Sequence, residues 1–111
     1  MMESERSVFD KFTVAVTSDL MGLVPILLET MSADVLTMRN RMQKGDYDGV
    51  ARKAHSSRGA AMTYGFDHYA DLLHSVELYA ARKDAARLKG RIAVLNSYLN
   101  RVEVRLADCR C

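Results

Sequence analysis

Apolar residues recur at spacings of three and four through most of the chain, the repeat of one helix face. Leu28, Met31, Val35, Met38 and Met42 form one such stripe. Pro25 suits a first turn, so this helix is predicted to start near Val24 or Pro25 and to end at Lys44-Gly45. Asp46 is a candidate cap for the next helix, Tyr47 to about Tyr64, with Gly65 as its stop. Its apolar side holds Tyr47, Val50, Ala54, Ser57, Ala61 and Tyr64. A third helix is predicted from Phe66 or Asp67 to about Ala81, on Tyr69, Leu72, Leu73, Val76, Tyr79 and Ala80. Arg82-Lys83-Asp84 makes a short break. A last helix then runs from Ala85 to Leu106 on Leu88, Ile92, Leu95, Leu99 and Val102, weakened slightly by Gly90. Ahead of these, Asp19 can cap a short helix that yields at Pro25, and Val8, Phe12 and Ala15 suggest another short one. Very short loops between long amphipathic helices predict an all-α fold, an antiparallel up-down-up-down four-helix bundle with a short additional N-terminal helix. The expected organisation is a single domain, 1–111, with its core at about 19–106.

Composition narrows the function classes. At 111 residues and 49% hydrophobic, the chain can bury one core without metals or disulfides. The formal net charge is only +2, and Arg and Lys are spread through the chain with no basic stripe interleaved with aromatics. No nucleic-acid partner is therefore expected. "LMGLVPILL", residues 20–28, reaches about half of the ~20 residues a membrane span needs, so no membrane partner is expected either. "MMESERSVFDKF" has no apolar core of a signal peptide, which points to the cytoplasm and to reduced thiols at Cys109 and Cys111. A lone C-x-C without a second ligand pair is a poor metal site.

The chemistry concentrates in "ARKAHSSRGAAMTYGF", residues 51–66. At 100° per residue, His55 points about 130° away from the centre of the apolar face, toward solvent. Asp48, Arg52, Gly59 and Met62 share its side, with Ala51 and Arg58 on its shoulder. An exposed neutral imidazole is a good nucleophile for a phosphoryl group. Arg58, three residues on, can stabilise phosphoryl oxygens. Gly59, four residues on, leaves the space beside the ring empty, at about 1 kcal/mol relative to Ala. Ala51 and Met62 offer a small apolar rim for a docking partner, flanked by Asp48 and Arg52. His68 and His74 instead have Asp71 and Glu77 three residues on, and Leu72 and Leu78 four residues on, so both read as ordinary surface or boundary residues.

These residues resemble the histidine-containing phosphotransfer (HPt) domains of bacterial phosphorelays, whose central helix reads A-H-x-[LM]-K-G-[SAG]-[SAG]-x-x-x-G. "AHSSRGAAMTYG", residues 54–65, matches at Ala54, His55, Gly59, Ala60, Ala61 and Gly65. The likeness extends over about residues 19 to 103, through the Gly-Asp turn before the motif and "LLHSVELYA" after it. Arg58 replaces the usual Lys, a planar fork for a point charge, and Ser57 replaces the usual Leu or Met.

The resemblance implies a phosphorelay intermediate. His55 would accept a phosphoryl group from a receiver-domain aspartyl phosphate and pass it to another receiver aspartate. Its partners would be receiver domains of a hybrid histidine kinase or a response regulator, and a monomer suffices. No cofactor is implied in this chain, since the Mg²⁺ would be held by the receiver. With no G-x-x-x-x-G-K-[ST] loop, no autonomous ATP-dependent kinase activity is expected. The alternative is a non-catalytic helical docking module that binds or sequesters a receiver or kinase, suggested by the altered pair at 57 and 58. A metal- or haem-binding bundle would need inward-facing motifs such as Glu-x-x-His, which the sequence lacks.

Overall fold

The computed structural model describes residues 13–106. Its elements are β1 (Thr13–Val16), α1 (Ser18–Met21), α2 (Val24–Gln43), α3 (Tyr47–Thr63), α4 (Asp67–Ala81), α5 (Ala85–Arg101) and β2 (Glu103–Leu106). The four long helices form a bundle: α3 packs on α2 and α4, and α5 packs on α4 and α2.

The three turns of the bundle share one construction. Lys44-Gly45-Asp46, Tyr64-Gly65-Phe66 and Arg82-Lys83-Asp84 each carry a left-handed middle residue, with φ of 76°, 83° and 56°. In each, the third residue's N–H reaches back five positions, to the carbonyls of Arg41 (2.9 Å), Ala61 (2.8 Å) and Tyr79 (3.0 Å). This closes the helix end in a Schellman motif and satisfies carbonyls that would otherwise lack partners. The same residues then start the next helix. The Asp46 carboxylate accepts from Gly49 N–H at 2.9 Å, and the Asp84 carboxylate from Arg87 N–H at 3.2 Å. Asp46 is thus the cap its sequence position predicts. Asp19 is not: Thr17 stands at the N-cap of α1 and Asp19 lies inside its first turn.

Between the helices lies a core of Met31, Val35 and Met38 from α2, Val50, Ala54 and Ala61 from α3, Leu73 and Val76 from α4, and Leu88, Ile92 and Leu95 from α5. Tyr69 and Tyr98 stack inside it with ring centroids 5.2 Å apart. Burial raises the pKa of both hydroxyls. Asp34 and Tyr98 push Tyr69 further up, and Asp67 pushes Tyr98 further, to about 12. The side chains that α3 buries are small, so α4 can approach it closely.

Two expectations fail at the flanks. Ala15 belongs to a strand rather than a helix, while Val8 and Phe12, the rest of that predicted stripe, lie outside the described residues. The last helix ends at Arg101 instead of Leu106, and β2 follows. β1 and β2 pair in parallel, Thr13 opposite Glu103 through Val16 opposite Leu106. The reason is local pattern: Thr13-Val14-Ala15-Val16 buries Val14 and Val16 and exposes Ala15, a period of two with β-branched residues. In sequence, Val102-Glu103-Val104-Arg105-Leu106 likewise alternates apolar and charged residues. Parallel pairing needs a long crossover, which the whole bundle provides. Cys109 and Cys111 lie outside the described residues. Among those residues, no helix is long and apolar enough to cross a membrane.

Candidate functional site

His55 sits near the middle of α3 with 69% of its side chain exposed. Its Nδ1 lies 3.0 Å from Oε2 of Glu77 on α4. A carboxylate accepts and does not donate, so in the neutral ring Nδ1 carries the proton. The Nε2 lone pair is then left on the side of the ring away from Glu77. Hydrogen-bond partners fix the tautomer in this way at many histidine sites.

The other oxygen of Glu77 meets Arg58. Arg58 Nη1 is 3.3 Å from Glu77 Oε1, and the same nitrogen donates to Nδ1 of His74. Guanidinium only donates, so Nδ1 of His74 is an acceptor and the proton of the neutral ring is on Nε2. His74 therefore has no lone pair to offer solvent, although it is exposed. His68 is half-buried, its ring centroid 5.7 Å from that of Tyr98. Of the two histidines in this network, His55 is the one left with a solvent-facing lone pair.

The other expected residues fall as follows. Gly59 is exposed, and a Cβ built there would meet nothing within 4 Å. Asp48 and Arg52 are exposed, and Met62 is 60% exposed. Ala51 is half-buried against the core, so it adds less rim than its position on the helix suggests. Arg58 is held by α4, only 27% exposed, with its charge shared between Glu77 and His74. Ser57 is buried at 4% exposure, and its hydroxyl has no hydrogen-bond partner among the described residues.

Sequence reasoning missed Glu77. It appeared as the residue that spoils His74, three positions on, when its contacts run across the helix interface to His55 and Arg58. Its approximate register along α4 was readable from the buried stripe, since Glu77 adjoins Val76 and Ala80. The side of α4 that faces α3 was not.

A family model described as Hpt domain matches residues 22–105. The chain belongs to the Hpt domain family. Members of this family carry out histidine phosphotransfer in phosphorelays and interact with receiver domains of two-component proteins. No curated protein and no solved structure matches the chain. The matched residues of this Hpt chain take in all four bundle helices and stop within β2.

Proposed function

We propose that His55 is the phosphoacceptor of a phosphorelay carrier. The observation that carries this reading is the His55–Glu77 hydrogen bond, which directs the imidazole lone pair to solvent through Nε2. In the proposed step Nε2 attacks the phosphorus of a receiver's aspartyl phosphate. The N–P bond forms as the P–O bond to the carboxylate breaks, and the carboxylate leaves with the electron pair. The ring becomes positive as the bond forms, and the Glu77 carboxylate at Nδ1–H stabilises that charge. Reversal onto a second receiver aspartate uses the same contacts, with the cationic ring as the leaving group.

The surrounding residues are assigned roles within the same proposal. Arg58 lies one helical turn from His55 and supplies positive charge near the transferred group. Gly59 keeps the approach open, and Asp48, Ala51, Arg52 and Met62 contact the receiver. Phosphoryl transfer depends mainly on positioning and electrostatics, which suits a site made of one ring and its supports. Mg²⁺ belongs to the receiver's carboxylates in this scheme. The carrier is proposed to work in the cytoplasm as a monomeric single domain, its helices running up-down-up-down as three-residue turns favour.

Incubation with a phosphorylated receiver tests the proposal. The full chain is expected to acquire acid-labile, base-stable label, and His55→Gln to acquire none. Label of equal intensity on the variant would refute it.

A further inference from the structure

α4 and α5 leave a groove of about 340 Å³ lined by Tyr79, Arg87, Gly90, Arg91 and Val94. Tyr79 follows Glu77 by two residues, which turns it about 160° around α4 from the side that meets His55. A molecule seated there would leave the His55 face open.

Three observations distinguish this groove from an ordinary solvated helix face. The first is charge. Two of the lining residues are cations, Arg87 and Arg91, in a segment, 82–91, that holds three more, Arg82, Lys83 and Lys89, against one carboxylate, Asp84, while the chain's formal net charge is +2. The whole-chain balance hides this concentration. Arg87 is matched by Asp84 at 3.1 Å. Arg91, half-buried, makes no ion pair or side-chain hydrogen bond among the described residues.

The second is an apolar wall. Val94 is 39% exposed and Tyr79 is half-buried beside the cations. The third is Gly90, where a Cβ would meet nothing within 4 Å. Alanine would suit the helix better, and close packing does not require the glycine.

We propose that this groove is a second docking surface, for an acidic segment of a partner protein in which an apolar side chain stands between carboxylates. Arg87 and Arg91, one helical turn apart, are neighbours on the helix surface. Their planar forks suit carboxylates, while Val94 and Tyr79 receive the apolar side chain. A single half-buried tyrosine makes no stacking track for a nucleic-acid strand, and one exposed valine is too little apolar area to enter a membrane interface. A partner bound here would tether the carrier while His55 remains open to a receiver.

The test is fluorescence anisotropy with a labelled Asp-Glu-Leu-Asp-Glu peptide, titrated with the full chain. Saturable binding is expected, weakened about tenfold by Arg91→Glu, which replaces an attraction by a repulsion. Arg91→Gln should weaken it less. Arg52→Glu carries the same charge change on α3, outside the groove, and should alter binding less than twofold. His55 phosphorylation should be unchanged in Arg91→Glu, which separates failure of this surface from failure of the phosphoacceptor assignment. Equal weakening by the two glutamate variants would overturn the proposal. So would absence of peptide binding, or tighter binding of an oligodeoxythymidine or of anionic vesicles than of the peptide.

Discussion

Gly49 and Gly59 both lie in α3 and both would ordinarily be improved by alanine, yet they should respond in opposite directions. At Gly49 a new Cβ would fall onto the Asp46 carboxyl group, 2.7 Å from its Cγ and 2.9 Å from Cδ of Arg41. Those side chains are not free to leave without loss. Asp46 accepts the helix-capping bond from Gly49 N–H, and Arg41 Nη1 donates to the Gly49 carbonyl at 3.0 Å. A lost cap costs about 1 kcal/mol, and a lost charge-assisted bond about 1.5. Better helix propensity returns at most about 1 kcal/mol. Gly49→Ala should therefore destabilise by about 1.5 kcal/mol, lowering Tm by about 5 to 10 °C. At Gly59 nothing opposes the Cβ, so Gly59→Ala should raise Tm by about 4 °C. The assay is thermal unfolding followed by circular dichroism at 222 nm, paired with phosphoryl uptake. The Gly59 variant should be more stable and slower to accept the phosphoryl group, because the methyl stands beside His55. A Gly49→Ala protein as stable as wild type, or a destabilised Gly59→Ala protein, would refute the steric argument. A stabilised Gly59→Ala protein with undiminished uptake would leave the glycine without its proposed role.

Other consequences follow from the same contacts. Glu77→Gln keeps an acceptor for His55 Nδ1–H but removes the charge, so phosphoryl uptake should slow about five- to tenfold, the equivalent of about 1 kcal/mol; Glu77→Leu should slow it more, and stopped-flow or radiolabel time courses would measure both. Lys83 occupies a left-handed position that the equivalent turns give to Gly45 and Gly65, so Lys83→Gly should stabilise by about 0.5 to 1 kcal/mol in urea unfolding. Tyr69 and Tyr98 hold their protons to higher pH when folded than unfolded. Above pH ~10 the unfolded chain releases protons that the folded chain keeps, so stability is full below about pH 10 and falls as pH rises toward 12. Tyr98→Phe should remove part of the late rise in absorbance at 295 nm, and the melting temperature of the wild type should drop over that interval.

The helices were legible because each carries several independent signals. Asp46 and Gly65 bracket α3, a three- and four-residue stripe fixes its buried side, and the structure buries Val50, Ala54, Ser57 and Ala61 as that stripe requires. His55 was legible for the same reason: residues opposite the stripe must face solvent. The strands were hard to read because each is four residues long and gains its hydrogen bonds from a partner about ninety positions away. Ala15 at helical spacing from Phe12 and Val8 obscured the alternation of Val14 and Val16. Glu77 escaped because its role depends on how α4 is rotated against α3, and a single helix's periodicity says nothing about which neighbour a flanking residue meets. Local spacing likewise gave no sign that Arg58 also meets Glu77 and His74 on the next helix.

The central claim is that one nitrogen, Nε2 of His55, accepts the phosphoryl group while Nδ1–H stays bonded to Glu77. Long-range ¹H–¹⁵N NMR of ring-labelled histidines, recorded before and after treatment with a phosphorylated receiver, tests it most directly. Phosphorus coupling should appear at Nε2 of His55, with the rings of His68 and His74 free of it. Coupling at Nδ1 of His55, or at either other histidine, would contradict the account.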